Sequence, residues 1–296
     1  MNSKQASDLG TRLDQLLAEI GTRDRARVWS ILITIFGDAI VPRGGIVALS
    51  TLQKIAERMG HGASAVRAAL SRLTSEGWLE RTKVGRQSFY SLGADGHDAF
   101  ESATRQIYAA GPPEWQGGWE LFFGATISEV DRQVLTSAGF GSLSGTLFLR
   151  PKLEGRGTPI VERLTRVDGD MLNPGNLPDL AREAWPLGKL EADYERFVAD
   201  FTPLAPLTVE ASPLEAMALR TLTIHQFRRI VLRDPNLPLR LTGPEWGGAK
   251  ARDLARTLFL DCQNASESWL DQEGETPDGK LPPASLDLRL RFQIEG

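Results

Sequence analysis

The chain has 296 residues, with 34 lysines and arginines against 38 aspartates and glutamates and 41% apolar side chains. That composition fits an ordinary globular protein of two or three domains and excludes disorder as its main state. The lone cysteine, Cys262, excludes an intrachain disulfide and a cysteine-rich zinc site.

No apolar run reaches the roughly 18 residues of a membrane span, and no basic start with an apolar core marks a signal peptide, so a cytoplasmic protein is expected. In chain order, Leu9, Leu13, Leu16, Leu17 and Ile20 share one face of a short helix that Gly21 should end, suited to packing on a neighbouring module or a partner chain. Residues 27–36, with Val28, Trp29, Ile31, Leu32, Ile33, Ile35 and Phe36, are apolar nearly all round and predict a buried helix.

The next helix opens with Ser50 and Gln53 in the spacing of a capping box, followed by Leu52, Ile55, Ala56 and Met59 at helical intervals. Gly60 then marks a turn, and a second helix should start near Gly62. Its Val66, Ala69, Leu70 and Leu73 form an apolar stripe, while Ser64, Arg67, Ala68 and Ser71 point the other way. A small, polar and basic face suits the major groove, where arginine pairs bidentately with guanine and serine reaches base edges or phosphate. Arg67 is the leading base reader, with Ser64 and Ser71 beside it.

Gly77 closes that helix, and residues 78–84 and 86–92 are strand-like runs around Gly85, which predicts a hairpin. Lys83 and Arg86 sit at its tip; with Arg72 and Gln87 they are candidates for phosphate or minor-groove contacts. Any one of these features is common, and an arginine on a helix is usually a solvated surface residue. Their joint order over residues 49–92 predicts a winged helix-turn-helix within a DNA-binding domain at 1–110, with double-stranded DNA as partner.

Charge supports this. Residues 1–92 hold 13 basic and 8 acidic side chains, a net of +5, whereas the remainder holds 21 and 30, a net of −9. A basic reader is thus joined to an acidic body.

Residues 93–110 look helical up to the break at Gly111, Pro112 and Pro113. Beyond it, Trp119–Ile127 reads as strand, Glu129–Ala138 as helix and Gly145–Leu149 as strand, so a small α+β domain is expected over 115–200. Within the Gly- and Pro-rich stretch 151–178, residues 160–167 suit a further strand. From Pro178 to Arg233 the pattern is mostly helical, broken at Pro186, Thr202–Pro206 and Pro213, which suggests a helical third domain over 201–296. After a polar linker at 272–284, Leu286, Leu288, Leu290, Phe292 and Ile294 alternate with polar residues and predict a half-buried terminal strand, completing a sheet of its own chain or pairing with a second subunit. The fold class is therefore multidomain α+β.

Catalytic chemistry finds no support in the residues. His61, His97 and His225 have no partners at catalytic or metal-ligand spacing, and no phosphate-binding loop, dinucleotide fingerprint or nucleophile elbow occurs. The abundant carboxylates single out no acid and base pair; neither a catalytic residue, a metal nor a cofactor is expected.

Four segments resemble the PaaX family of transcriptional repressors of phenylacetate catabolism: SILITIFGDAIVPRGG (30–45), VRAALSRLTSEGWLERTKVGRQSFYSL (66–92), RQIY (105–108) and HQFRRIVLRDPNLPLRLTGPEWGGAKA (225–251). The resemblance implies a winged helix, a middle ferredoxin-like (Cas2-like) domain and a mainly helical C-terminal domain. It also implies a homodimeric repressor released from its operator by an aryl-CoA thioester such as phenylacetyl-CoA. A Cas2-like domain raises a nuclease alternative, which would need an acidic metal ligand at the end of its first strand; here that end reads Phe122, Phe123, Gly124, Ala125, Thr126. The region after that strand is less basic than in the family, and the alternating tail is not a family feature.

For such an effector, His225, Arg228, Arg229, Arg233 and Trp246 are the best cluster of cations and aromatic surface outside the DNA module, although arginines there also suit local ion pairs. The competing readings are a CoA-ester enzyme with an accessory domain, for which no base or nucleophile stands out, and a protein-interaction adaptor, against which the basic face counts.

Overall fold

The computed structural model describes residues 2–23, 27–171, 173 and 175–292. The chain forms two compact units: unit 1 from Met1–Ala109, Phe197–Arg229 and Ala251–Glu295, and unit 2 from Ala110–Arg196 and Ile230–Lys250. The Gly111-Pro112-Pro113 break follows the first crossing between them. Residues 201–296 contribute to both units, so the C-terminal third does not cluster as one body.

Unit 1 begins with α1 (Asn2–Arg23), which buries Leu9, Leu13, Leu16 and Ile20 and packs on the 3-10 segment Thr202–Glu210 of the same unit. Gly21 does not end it; the helix continues to Arg23, where Thr22 and Arg23 donate side-chain hydrogen bonds to the Glu19 carbonyl. Helix α2 (Val28–Ile35) buries Ile31–Ile35 and then widens into a π-turn at Phe36–Ile40 and a 3-10 turn at Val41–Arg43. After β1 (Ile46–Ala48) come α3 (Leu49–Arg58) and α4 (Ala63–Ser75). The expected capping box does not form: Ala48 holds the N-cap position of α3, which puts Ser50 two residues past it, inside the first turn, and no side chain caps this helix. Tertiary packing of Leu52, Ile55 and Ala56 holds the helix start instead, at roughly 1.5–3 kcal/mol for each large side chain fully buried.

The turn between the two helices does form as expected. Gly60 takes φ +83°, the Gly60 amide donates to Glu57 O and the His61 amide to Ala56 O, each at 2.9 Å, so the last carbonyls of α3 are satisfied by a Schellman motif. Helix α4 ends the same way, with Gly77 N to Thr74 O and Trp78 N to Leu73 O. Strands β2 (Leu79–Val84) and β3 (Gln87–Leu92) follow, pairing from Leu79 opposite Leu92 to Val84 opposite Gln87. The two-residue loop Gly85-Arg86 puts φ +60° on glycine, a Gly-X hairpin loop. Strand β1, not foreseen in the sequence, pairs with β3 and completes the order β1-β3-β2. Helix α5 (Ala94–Ile107) closes this stretch.

Unit 2 is built on four antiparallel strands, β4 (Gly118–Phe123), β5 (Gly141–Ser142), β6 (Leu147–Pro151) and β7 (Thr165–Asp170), in the order β5-β6-β4-β7, with α6 (Glu129–Ser137) between β4 and β5. Phe122, Ile127, Leu135, Phe140, Phe148, Val161 and Leu164 form its core. The last strand lies at 165–170 rather than 160–167, because residues 161–164 fold into a turn that buries Val161 and Leu164. On β4, Glu120 is buried and held by Arg150 Nε at 2.6 Å, by Arg166 and by Thr158.

Helices α7 (Leu177–Ala184), α8 (Leu187–Phe201), α9 (Pro213–Val231), α10 (Leu239–Thr242) and α11 (Gly247–Glu273) supply the remaining frame, with breaks at Pro186, at Thr202 and before Pro213 as the sequence predicts. A small hairpin, β8 (Glu275–Thr276) and β9 (Gly279–Lys280), precedes α12 (Leu286–Leu290).

The tail is thus a correction. Leu286–Leu290 is a helical turn, not a strand; Leu288 is buried while Leu286 is exposed, and Ile294 lies outside the described residues. Instead of a strand edge, the segment meets polar anchors in unit 1. Arg291 donates from Nη1 to Asp38 O at 2.6 Å and from Nη2 to Gly37 O at 2.8 Å, and the Phe292 amide donates to Tyr108 O.

No helix among the described residues is long and apolar enough to cross a membrane.

Candidate nucleic-acid interface

Helix α4 presents two chemically distinct sides. Val66, Leu70 and Leu73 are buried against the rest of unit 1, and α4 packs on α2, α3 and β2. Ser64, Arg67, Ala68, Ser71 and Arg72 are exposed. Nothing bulkier than serine or alanine flanks Arg67 on that side, so a groove floor can come close to the backbone. Arg67 enters no side-chain hydrogen bond or ion pair among the described residues, whereas Arg72 Nε donates to Glu76 Oε1 at 2.7 Å, one turn on.

The hairpin carries Lys83, Arg86 and Gln87 exposed at its tip, and neither cation is paired among the described residues. Two unpaired cations on one hairpin and one on the adjacent helix leave their charge available to an anion. Sequence reasoning passed over Arg81. It is exposed on β2, and its Nη2 and Nε donate to Ser88 Oγ across the hairpin at 2.8 and 3.3 Å. A hydroxyl two residues from a strand turn was the available signal.

Unit 1 also holds a buried ionic network. Asp38, in the π-turn, receives Arg220 Nε at 2.7 Å, Arg291 Nη1 at 3.0 Å and the Tyr108 hydroxyl. Arg220 also reaches Glu267 at 2.6 Å and Ser266 at 3.0 Å, and Glu267 receives buried Arg43 at 2.6 Å. Burial alone would lower the Arg220 pKa, but the Asp38 and Glu267 carboxylates raise it above the usual arginine value. Burial pushes the Tyr108 hydroxyl up, against the pull of Arg291, so Tyr108 remains a neutral donor. A lone carboxylate in the apolar run 28–41 hinted at such a pair, but its partners are 70 to 253 positions away.

The five residues grouped for an effector fall in both units. In unit 1, His225 is fully buried on α9, with Nδ1 3.0 Å from Thr34 Oγ1. Thr34 Oγ1 also lies 3.1 Å from Ser30 O, and Nε2 has no hydrogen-bond partner among the described residues. Burial, reinforced by Arg228 and Arg229, holds its pKa down to about 3. Arg228 donates to the Ser30 hydroxyl at 3.0 Å, and burial lowers its pKa to about 10. In unit 2, Arg233 pairs with Asp193 at 3.0 Å, and Trp246 packs edge-on against Tyr194 with ring centroids 5.9 Å apart.

Two cavities open in unit 1. One, among α2, α5 and α9, is lined by Ile33, Phe100, Ile107, Ile224 and Arg228 and holds about 20 Å³, room for a water molecule. The other, about 640 Å³, is lined by Arg43, Gln263, Asn264, Glu267, Asp271 and Leu288, and its carboxylates disfavour an anionic occupant. Among the described residues no group of three His, Cys, Asp or Glu is placed to hold a metal ion.

Residues 27–96 match the model of the PaaX-like protein family, and residues 185–272 that of the PaaX-like protein C-terminal domain. The chain is 34% identical over 277 residues to the transcriptional repressor PaaX of Escherichia coli, covering 87% of each protein. In fold it is similar to an uncharacterized protein of Mycobacterium tuberculosis, with a TM-score of 0.51, 19% identity, and coverage of 74% of this chain and 89% of that one. Family models over both ends and identity along most of its length mean that the chain belongs to the PaaX family.

Proposed function

We propose that this protein is a transcriptional repressor of an aromatic-acid (phenylacetate) catabolic operon, binding double-stranded operator DNA and performing no catalysis of its own. The observation that carries the DNA reading is the exposed side of α4, where Arg67 stands unpaired between small residues next to a hairpin tipped by Lys83 and Arg86. We read residues 49–92 as a winged helix-turn-helix, with Arg67, Ser64 and Ser71 at base edges and Arg72, Lys83, Arg86 and Gln87 at phosphates or the minor groove. The identity to a repressor along 87% of the chain supports the same reading.

Two copies would set two such helices on half-sites about one helical turn, roughly 34 Å, or a multiple apart. For the sheet of unit 2 the reading is a ferredoxin-like domain. Numbered within the unit, its strands lie in the order 2-3-1-4, as in that fold, although residues 152–164 run irregularly where a second helix would stand. The effector is an aryl-CoA thioester such as phenylacetyl-CoA, which the family resemblance supports. It releases the operator only by preferring a conformation that binds DNA less well.

The deciding experiment is footprinting on DNA from the protein's own genetic neighbourhood, with Arg67→Ala alongside. The substitution should weaken specific binding by about 1–3 kcal/mol and relax preference at one base pair. An equal loss on random DNA would remove base reading by Arg67. Titrating the complex with phenylacetyl-CoA, phenylacetate and CoA tests the effector, and retention of the complex under all three sinks it.

A further inference from the structure

We propose that Arg81 is a further DNA-contacting residue, held ready for an anionic phosphodiester oxygen by Ser88; this rests on the DNA reading above. The register puts Arg81 opposite Tyr90 and Lys83 opposite Ser88, so Leu79, Arg81 and Lys83 share one face of the hairpin with Ser88, Tyr90 and Leu92. Near the base of that face Leu79, Tyr90 and Leu92 are buried, and α4 packs against β2. Toward the tip, Arg81 and Lys83 are exposed. One face thus passes from core to basic surface along the strand that adjoins the DNA-reading helix.

What distinguishes Arg81 from its neighbours is how it is held. Arg72 and Arg58 are paired with carboxylates, Glu76 and Asp14, which offset part of their charge. Arg81 is anchored by a hydroxyl alone, through Nε and Nη2. Ser88 Oγ supplies lone pairs and no formal charge, so the guanidinium keeps its full positive charge while losing much of its rotamer freedom. Nη1 enters no hydrogen bond with the described residues. A cation fixed before binding loses less entropy on contact than the unanchored Lys83 and Arg86. A hairpin brace, by contrast, would make no demand for a charge at this position.

The test measures the affinity of the full-length protein for the footprinted duplex and for a random duplex at several salt concentrations, using Arg81→Ala, Arg81→Gln, Ser88→Ala and Arg67→Ala. Arg81→Ala and Arg81→Gln should each lower affinity about tenfold on both duplexes and reduce the slope of log K against log salt by about two, one for each copy in a dimer. Ser88→Ala should weaken binding roughly twofold to fivefold and leave that slope unchanged, because the charge remains. The glutamine variant keeps the hydrogen bond to Ser88 within reach, and melting curves identify any variant that fails to fold.

If both Arg81 variants keep wild-type affinity and slope while Arg67→Ala loses specific binding, Arg81 only braces the hairpin and the proposal is overturned. Failure of the unaltered protein to bind either duplex overturns the DNA reading and this inference with it.

Discussion

His225 sits in a sequence neighbourhood rich in arginine and aromatic residues, yet its chemistry in the fold is that of a neutral core imidazole. Thr34 contacts the ring at Nδ1, and burial, reinforced by Arg228 and Arg229, makes a second proton unfavourable. A folded pKa near 3 lies below the ordinary imidazole value of 6.5, so as pH falls the unfolded chain takes up the proton first. The stability from neutral burial is complete above about pH 6.5 and is lost as pH falls toward 3, by up to roughly 1.4 kcal/mol per pH unit. Urea unfolding between pH 7.5 and pH 5 should therefore show a declining midpoint that His225→Asn flattens. Parallel slopes for the two proteins would contradict this assignment. Arg67 differs in kind: it was legible in the sequence because its exposure follows from the helical period, whereas the burial of His225 depends on α2, far away in the chain.

At the scale of elements, several with local signals formed where the sequence put them, although Gly21 did not end α1. The αL glycine at Gly60, the Gly-X loop at 85–86 and the stripe of α4 each depend on residues a few positions apart. Elements whose form depends on distant partners did not. Strand β1 exists because β3 offers it an edge, and Ser50 lost its capping role because packing moved the start of α3. The terminal segment alternates like a strand, but Leu288 enters the core and Arg291 lies 4.1 Å over the Tyr108 ring while donating to Asp38. Such a short helix has little stability of its own and is held by these contacts. Arg291→Ala should accordingly cost about 3 kcal/mol of unfolding free energy, since it strips a partner from a buried carboxylate. Leu286→Ala, at a site 67% exposed, should change stability little. Equal effects in chemical denaturation would show that the tail is not anchored through Arg291.

For the whole molecule, the contrast between a basic first 92 residues and an acidic remainder concentrates positive charge on one part of the chain, where an anionic partner would be drawn. If Arg81, Lys83 and Arg86 each neutralise one phosphate in both copies of a dimer, log K should fall against log salt with a slope of roughly −5. Fluorescence anisotropy between 50 and 200 mM salt measures it, on the scale over which such contacts are known to weaken; a slope near zero would exclude backbone contact by the hairpin. Sequence alone determined the two helices, glycine turn and hairpin of residues 49–92, their outward basic face and the family, because helical and strand periods and glycine turns are short-range properties. Only the tertiary structure decided that the C-terminal third divides between two units, that Asp38 gathers Tyr108, Arg220 and Arg291, and that Arg81 donates to Ser88 across the hairpin. Pairings among residues so far apart, and the register that sets one strand against another, are chosen by packing and desolvation in the folded chain rather than by local pattern.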